Sequence, residues 1–211
     1  MSTTRSRLDE FYVKRGKRIL DAAIGAVGVA VSTPVIAACA VAIKLDDGGP
    51  VFFHQERAGK DGVPFTVHKL RTMGVGSEKV TGGHATVAMV TPVGDVLRRL
   101  SLDELPQFWN IMVGDMSLVG PRPTLMDQIA EYTPHQWRRL EVTPGLTGLA
   151  QIKYRNSAPW SVRIESDVEY VDNMGFLQDL RIVLGTIPAV LGGEGQAIED
   201  EDSGVNDFAK A

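Results

Sequence analysis

The pattern of apolar and polar positions divides the chain into unequal parts. Residues 19–43, "ILDAAIGAVGVAVSTPVIAACAVAI", form an apolar run whose one charge is Asp21. A surface helix of a soluble domain shows a polar stripe; this run is apolar all round and so belongs in a membrane or a full enclosure. Roughly 20 apolar residues span a ~30 Å hydrocarbon core, so its length qualifies. Pro34 interrupts it. The proline ring removes a backbone donor and clashes with the carbonyl of Ala30, which predicts a kink or break. Ser32 and Thr33 supply hydroxyls able to bond carbonyls freed there, making Ser32, Thr33 and Pro34 a candidate membrane turn. Each arm then has about 10–15 residues, roughly 15–22 Å long, too short to cross alone. Lys14, Arg15, Lys17 and Arg18 precede the run and Lys44, Arg57 and Lys60 follow it, a balance that suits two cytoplasmic ends. A single kinked span and a re-entrant hairpin both remain open, and the hydroxyls favour the hairpin. A cleaved signal fits less well: "IAAC" resembles a lipoprotein cleavage site, but apolar residues continue past Cys39.

Beyond this run the periods shorten. "PVFFHQERAGKDGVPFTVHKLRTM" (50–73) reads as two strands around the turn "GKDG". Residues 74–91 are rich in glycine and threonine without periodicity, a loop. "PVGDVLRRL" (92–100) opens with proline and reads as a short helix ending near Arg98 and Arg99. Residues 123–142 predict one or two helices whose Trp137, Arg138 and Arg139 suit either a membrane interface or a solvated basic face. "TPGLTGLAQI" (143–152) reads as a turn-rich loop, and "SVRIESDVEYVDNM" and "FLQDLRIVLGTIPAVLG" as two further helices, the second notably apolar.

Charge sharpens the division. The formal net charge is −4, but residues 1–18 carry six basic side chains against Asp9 and Glu10, and residues 194–211 carry six acids against Lys210. The tail, poor in apolar residues, reads as disordered, and the body without it is slightly basic. The lone Cys39 excludes an intramolecular disulfide framework or a cysteine zinc cluster and reads as a small buried hydrophobe. His54, His68, His84 and His135 lack close metal-ligand spacing. No repeat, GxGxxG or Walker loop occurs.

Candidate chemistry concentrates in "RLSLDELPQFWNIMVGDMSLVGPRP" (99–123). Ser101 followed by Glu104 fits an S-x-x-E capping box, and on that reading Asp103 and Glu104 only complement a helix dipole. The same location, however, suits phosphate, because free N–H groups converge at a helix start. Pro106 confines both carboxylates to that start. Successive helical residues diverge by about 100°, so one carboxylate can face a phosphorus atom while its neighbour holds Mg²⁺ through oxygen. Arg122, stiffened by Pro121 and Pro123, offers a planar fork for phosphate oxygens. Aspartate attack on phosphorus to give an acyl phosphate is established enzyme chemistry. The residues alone leave three classes open: a phosphoryl-transfer enzyme, a metal-assisted phosphohydrolase, and a membrane-tethered scaffold whose acids only cap a helix.

"KRILD", "STPVIAACAVAIKLDDGGPVFFHQERAGKDGVPFTVHKLRTM", "LSLDELPQFWNIMVGDMSLVGPRP" and "TPGLTGLAQI" follow one another in the order seen in bacterial sugar transferases. The chain from about residue 14 to residue 191 resembles the monotopic phosphoglycosyl transferases, or undecaprenyl-phosphate sugar phosphotransferases, in their minimal form. The resemblance implies an α+β, mostly helical fold with an N-terminal re-entrant helix-break-helix, a small β-hairpin and amphipathic interfacial helices. Its boundaries are a basic segment (1–18), a re-entrant helix (19–43), a cytoplasmic catalytic domain (44–193) and an acidic tail (194–211). It implies transfer of a sugar 1-phosphate from a UDP-sugar to polyprenyl phosphate through a phosphosugar–aspartate intermediate, with release of UMP, on the cytoplasmic face of the cell membrane. Asp103 maps onto the nucleophile and Glu104 onto the acid assigned to Mg²⁺ and acid–base work, the two forming the metal site, with Mn²⁺ an alternative ion. Arg122 and Arg155 map onto phosphate-orienting arginines, and "ESDVEYV" carries over Asp167; Arg99 is a weaker phosphate candidate. The family commonly has Ser-Pro where this chain has Thr33-Pro34. Implied partners are membrane lipid, downstream glycosyltransferases and, compatibly, a second copy; no nucleic acid is expected.

Overall fold

The computed structural model describes residues 7–77, 89–154 and 158–191. Arg155, the acidic tail and most of the loop predicted over 74–91 lie outside the described residues. The α+β, mostly helical class is observed: helices dominate, joined by two small strand pairs.

The apolar run forms one helix, α1 (Lys17–Asp46), preceded by helical turns from Arg7 to Gly16. Pro34 lies inside it, so the interruption expected there does not end the helix. The hydroxyls act one carbonyl earlier than expected: Thr33 Oγ1 donates to the Val29 carbonyl at 2.7 Å, and Ser32 Oγ reaches the same oxygen at 3.4 Å. The reason α1 persists is its packing. Lys17, Asp21, Gly25, Ser32, Cys39 and Ile43 are buried at helical spacing along its whole length. One face therefore rests on the body on both sides of Pro34, which holds the helix together through the missing hydrogen bond. The opposite face exposes Ile19, Val27, Val31, Val41 and Leu45.

Strands β1 (Phe52–Ala58) and β2 (Pro64–Leu70) pair antiparallel, with Phe52 opposite Leu70 and Ala58 opposite Pro64. The "GKDG" turn closes them with Asp61 and Gly62 at positive φ, the backbone that Asp and Gly tolerate best. Helix α2 (Pro92–Arg99) starts at Thr91, whose side chain accepts from the Gly94 N–H at 3.0 Å, an N-cap with proline just inside it. Helix α3 (Gln107–Val113) ends at Gly114, φ 107°, and Arg18 donates to its last carbonyls, Ile111 O at 2.9 Å and Met112 O at 2.8 Å.

The region predicted as a turn-rich loop instead begins with β4 (Gly145–Thr147), parallel to β3 (Ser117–Val119), and continues as helix α4 (Leu149–Tyr154). Parallel pairing is possible because Gly145 lets the two backbones touch: a Cβ there would collide with the backbone of Gly120. Helices α5 (Trp160–Asn173) and α6 (Phe176–Leu191) complete the body. The helices predicted over 123–142 are reduced to short turns, 128–131, 134–137 and 138–141, with Thr133 and Gln136 forming a reciprocal capping box. The basic face proposed there also dissolves: Arg139 is buried and Arg138 pairs with Asp172.

The core falls into packed clusters. Cys39 and Ile43 of α1 meet Leu70 and Leu97; Val67, Ile111 and Met116 fill the space between β2 and α3. Tyr132, Leu140, Ile164 and Val168 form a separate core beneath the turns.

Candidate active site

Asp103 and Glu104 occupy a 3-10 turn, Leu102–Glu104, between α2 and α3. The chain enters it through Ser101, a non-glycine residue in the left-handed region (φ 54°, ψ 24°) whose side chain caps nothing. The predicted Ser101–Glu104 capping box is therefore absent. Glu104 is drawn elsewhere: its Oε1 accepts from Lys69 Nζ at 3.1 Å and from Arg122 Nη2 at 3.3 Å and Nη1 at 3.4 Å. An unfavourable backbone at Ser101, worth of order 1–3 kcal/mol, aims the acid pair at those cations. Pro106 sits as anticipated, immediately ahead of α3 with φ −61°. α3 has only two turns, so the positive field here comes chiefly from side chains.

The two acids have different surroundings. Asp103 is 8% exposed, and among the described residues no hydrogen bond reaches its carboxylate. Burial, with the negative charge of Glu104, pushes its pKa up to about 6 against the pull of Lys69, Arg98 and Arg122. Burial opposes ionisation of Glu104 too, but Lys69 and Arg122 outweigh it and hold that carboxyl down to about 2. One acid is thus a committed anion, locked between two cations. Its neighbour is a carboxylate with no hydrogen-bond partner among the described residues, close to the same positive charge. Such a divergence between adjacent acids is how proteins assign different chemical tasks to like groups.

Glu104 Oε2 accepts no hydrogen bond among the described residues, so it and Asp103 present hard oxygen donors side by side. No group of three or more His, Cys, Asp or Glu side chains able to hold a metal occurs among those residues. Mg²⁺ is commonly held by one or two carboxylates together with substrate phosphates, and this donor set fits that mode.

The sequence-derived candidates separate in space. Asp103, Glu104 and Arg122 come together. Arg99 does not: its side chain is 61% exposed and bridges to Asp95 within α2 at 2.6 Å. Arg98 is the neighbour that acts on Asp103, and its Nε donates to Thr72 Oγ1 at 2.8 Å. Asp167 is buried and bound to Arg139, Oδ2 to Nη2 at 2.7 Å. Lys69 was not among the candidates, although a signal existed: strand alternation puts it on the same face of β2 as buried Val67, and a charge on a buried face needs a partner. Arg139 carried no comparable signal.

Comparison with known proteins follows from this geometry. The family described as bacterial sugar transferase matches residues 12–193. The uncharacterized sugar transferase EpsL of Bacillus subtilis is 44% identical, over 85% of this chain and 89% of that protein. The UDP-glucose:undecaprenyl-phosphate glucose-1-phosphate transferase of Caulobacter vibrioides is 40% identical, over 83% of this chain and 69% of its own length. The UDP-N-acetylgalactosamine-undecaprenyl-phosphate N-acetylgalactosaminephosphotransferase of Aeromonas hydrophila is also 40% identical; the match covers 87% of this chain but 45% of that longer protein.

Proposed function

The chain belongs to the bacterial sugar transferase family, and on that premise we propose that it transfers a sugar 1-phosphate from a UDP-sugar to undecaprenyl phosphate. The relatives named for that activity support the reaction class. The observation that carries the mechanism is Asp103: buried, without a hydrogen-bond partner among the described residues, and surrounded by Lys69, Arg98 and Arg122.

In the first half-reaction an Asp103 oxygen attacks the sugar-bearing phosphorus. A P–O bond forms as the bond from that phosphorus to the bridging diphosphate oxygen breaks, and UMP departs with the electron pair. The product is an acyl phosphate carrying the sugar on Asp103. In the second, a phosphate oxygen of undecaprenyl phosphate attacks the same phosphorus, the acyl P–O bond breaks, and the Asp103 carboxylate is regenerated. Arg122 and Lys69 neutralise non-bridging oxygens, and Arg98 adds positive potential. Glu104 stays ionised and fixes both cations. Glu104, with Asp103, would hold Mg²⁺ (or Mn²⁺), which supplies charge neutralisation to the diphosphate.

The membrane arrangement follows from α1. Docking along its whole length keeps the body beside the helix, so a straight crossing would drag the body into lipid. We therefore assign α1 to one leaflet, with both of its ends on the cytoplasmic side. Its apolar stretch has the length and composition of a span, and 17% of it is buried.

Incubating the protein with Mg²⁺ and labelled UDP-sugars, without lipid, tests the reaction. A labelled adduct with one equivalent of UMP is expected, and continuous release of free sugar phosphate would identify a hydrolase instead. Topology is tested with single-cysteine variants at residues 10 and 60: labelling from opposite sides of the membrane would overturn the one-leaflet arrangement.

A further inference from the structure

Arg122 sits between prolines, so its backbone has little freedom: Pro121 fixes its own φ and Pro123 disfavours the helical region for residue 122. What remains adjustable is the tilt of the peptide planes. Three clamps set them. The Gly145 N–H donates to the Pro121 carbonyl at 2.8 Å, Arg139 Nη2 donates to the Arg122 carbonyl at 2.9 Å, and the Ala58 N–H donates to the Thr124 carbonyl at 2.9 Å. The outer two are backbone pairings. The middle one is a side chain, and it acts on the residue that grips Glu104.

That side chain is an unusual choice for a core. Arg139 is 2% exposed and pairs with buried Asp167. Its Nη1 donates to the Tyr132 hydroxyl at 2.6 Å, and that hydroxyl donates to Thr124 Oγ1 at 3.1 Å. Its Nε finds no partner among the described residues. The guanidinium also lies over Trp160, 5.2 Å from the ring centroid. A buried, incompletely satisfied ion pair adds little stability compared with apolar residues of similar volume. Its hydrogen bonds, however, converge on Arg122 and Thr124.

We propose that Arg139, held by Asp167 and Tyr132, is a positioning residue that fixes the Arg122 guanidinium against Glu104. Asp167 then acts on the reaction through Arg139, without touching phosphate. The proposal rests on the reading of Arg122 as a phosphate-gripping arginine.

The test replaces the pair with apolar residues, Arg139→Met with Asp167→Leu, and separately removes one arm with Tyr132→Phe, each in wild-type and Arg122→Lys backgrounds. The UMP burst from UDP-sugar gives the rate and thermal unfolding gives the stability. The apolar pair is expected to unfold near the wild-type temperature yet release UMP about 10- to 100-fold more slowly, the loss that a misplaced group causes. In the Arg122→Lys background the same changes should alter the rate by less than about threefold, because coupled residues are not additive. Equal losses in both backgrounds, or an unchanged rate, would overturn the proposal. Hydrogen exchange of the peptide covering residues 118–126 supplies an arm independent of activity. Faster exchange confined to that peptide is expected in Tyr132→Phe, which keeps the ring and so the fold; unchanged exchange there, or acceleration throughout the protein, overturns the brace. If the wild-type protein releases no UMP from any UDP-sugar, the functional reading fails and the exchange arm alone decides the brace.

Discussion

At the residue scale, Asp103 carries a conflict between stability and chemistry. Its raised pKa means that the folded state binds the proton more tightly than the unfolded chain does. Its stabilising contribution is complete below the ordinary carboxylate range and is lost as pH rises through about 6. Glu104 runs the other way, adding stability above the ordinary range that is lost only as pH falls towards about 2. Replacing Asp103 with Asn removes the buried anion, so Asp103→Asn should unfold at a temperature several degrees higher than wild type near pH 7.5. Raising this carboxyl from the ordinary aspartate range to about 6 corresponds to at most ~3 kcal/mol. The gain should vanish near pH 4, where the wild-type carboxyl is already protonated. The same variant should form no phosphosugar adduct and lose at least ~10³-fold in turnover; adduct on the Asn variant would move the nucleophile elsewhere. A second outcome follows from the same titration. The UMP burst of the wild-type protein should fall about tenfold per pH unit below about 6, with a slope of one, because Glu104 is still ionised there. A slope of two would show both acids protonating together.

At the element scale, what was legible depended on period. The β1–β2 hairpin, α2, α5 and α6 announced themselves through alternation, an N-terminal proline or an apolar stripe, all local signals. The irregular pieces did not, because their conformations are set by distant partners. Ser101 adopts a left-handed backbone and leaves the capping box unmade because Glu104 is held by Lys69 from β2 and Arg122 from the loop after β3. Asp103, Glu104 and Arg122 were readable as a group since the first two are adjacent and the third is framed by prolines. Arg139 and Lys69 act across 17 and 35 positions of sequence, and spacing along one chain does not encode that. The seam between α1 and α3 shows how a small residue can carry an element's placement. A Cβ on Gly25 would lie 2.5 Å from the backbone nitrogen of Met112, and one on Gly28 would meet the Phe108 ring. Backbone cannot swing away as a side chain can, so Gly25→Val should destabilise the protein by about 1–3 kcal/mol. Ala23→Val, on the exposed side of α1, is the matched control. Thermal unfolding of the pair decides the matter: equal midpoints would mean that the seam is looser than its geometry implies.

At the scale of the whole molecule, the two halves of the proposed reaction make different demands. UDP-sugar arrives from water, whereas the acceptor's isoprenoid chain stays in lipid, so the site at residues 103–104 must face both. The basic N-terminal segment does less of the anchoring than its charge suggests. Lys17 is buried against Asp179 at 2.6 Å, and that carboxylate also accepts from Tyr12 and Tyr170. Arg18, though exposed, is committed to capping α3, which leaves Lys14 and Arg15 among the exposed basic residues that could meet lipid headgroups. Membrane attachment therefore falls mainly on the apolar face of α1, where Val31 is 69% exposed. A carboxylate in a hydrocarbon environment costs about 2.5–3.5 kcal/mol on insertion scales, close to a hundredfold in partitioning. Val31→Asp should accordingly lower turnover on undecaprenyl phosphate in vesicles at least ~10-fold and release the protein from floated liposomes. The lipid-free UMP burst should stay within about threefold of wild type, since neither Asp103 nor its cations are disturbed. Loss of the burst together with turnover would mean that α1 shapes the catalytic turn directly, and that lipid contact and chemistry are not separable in this protein.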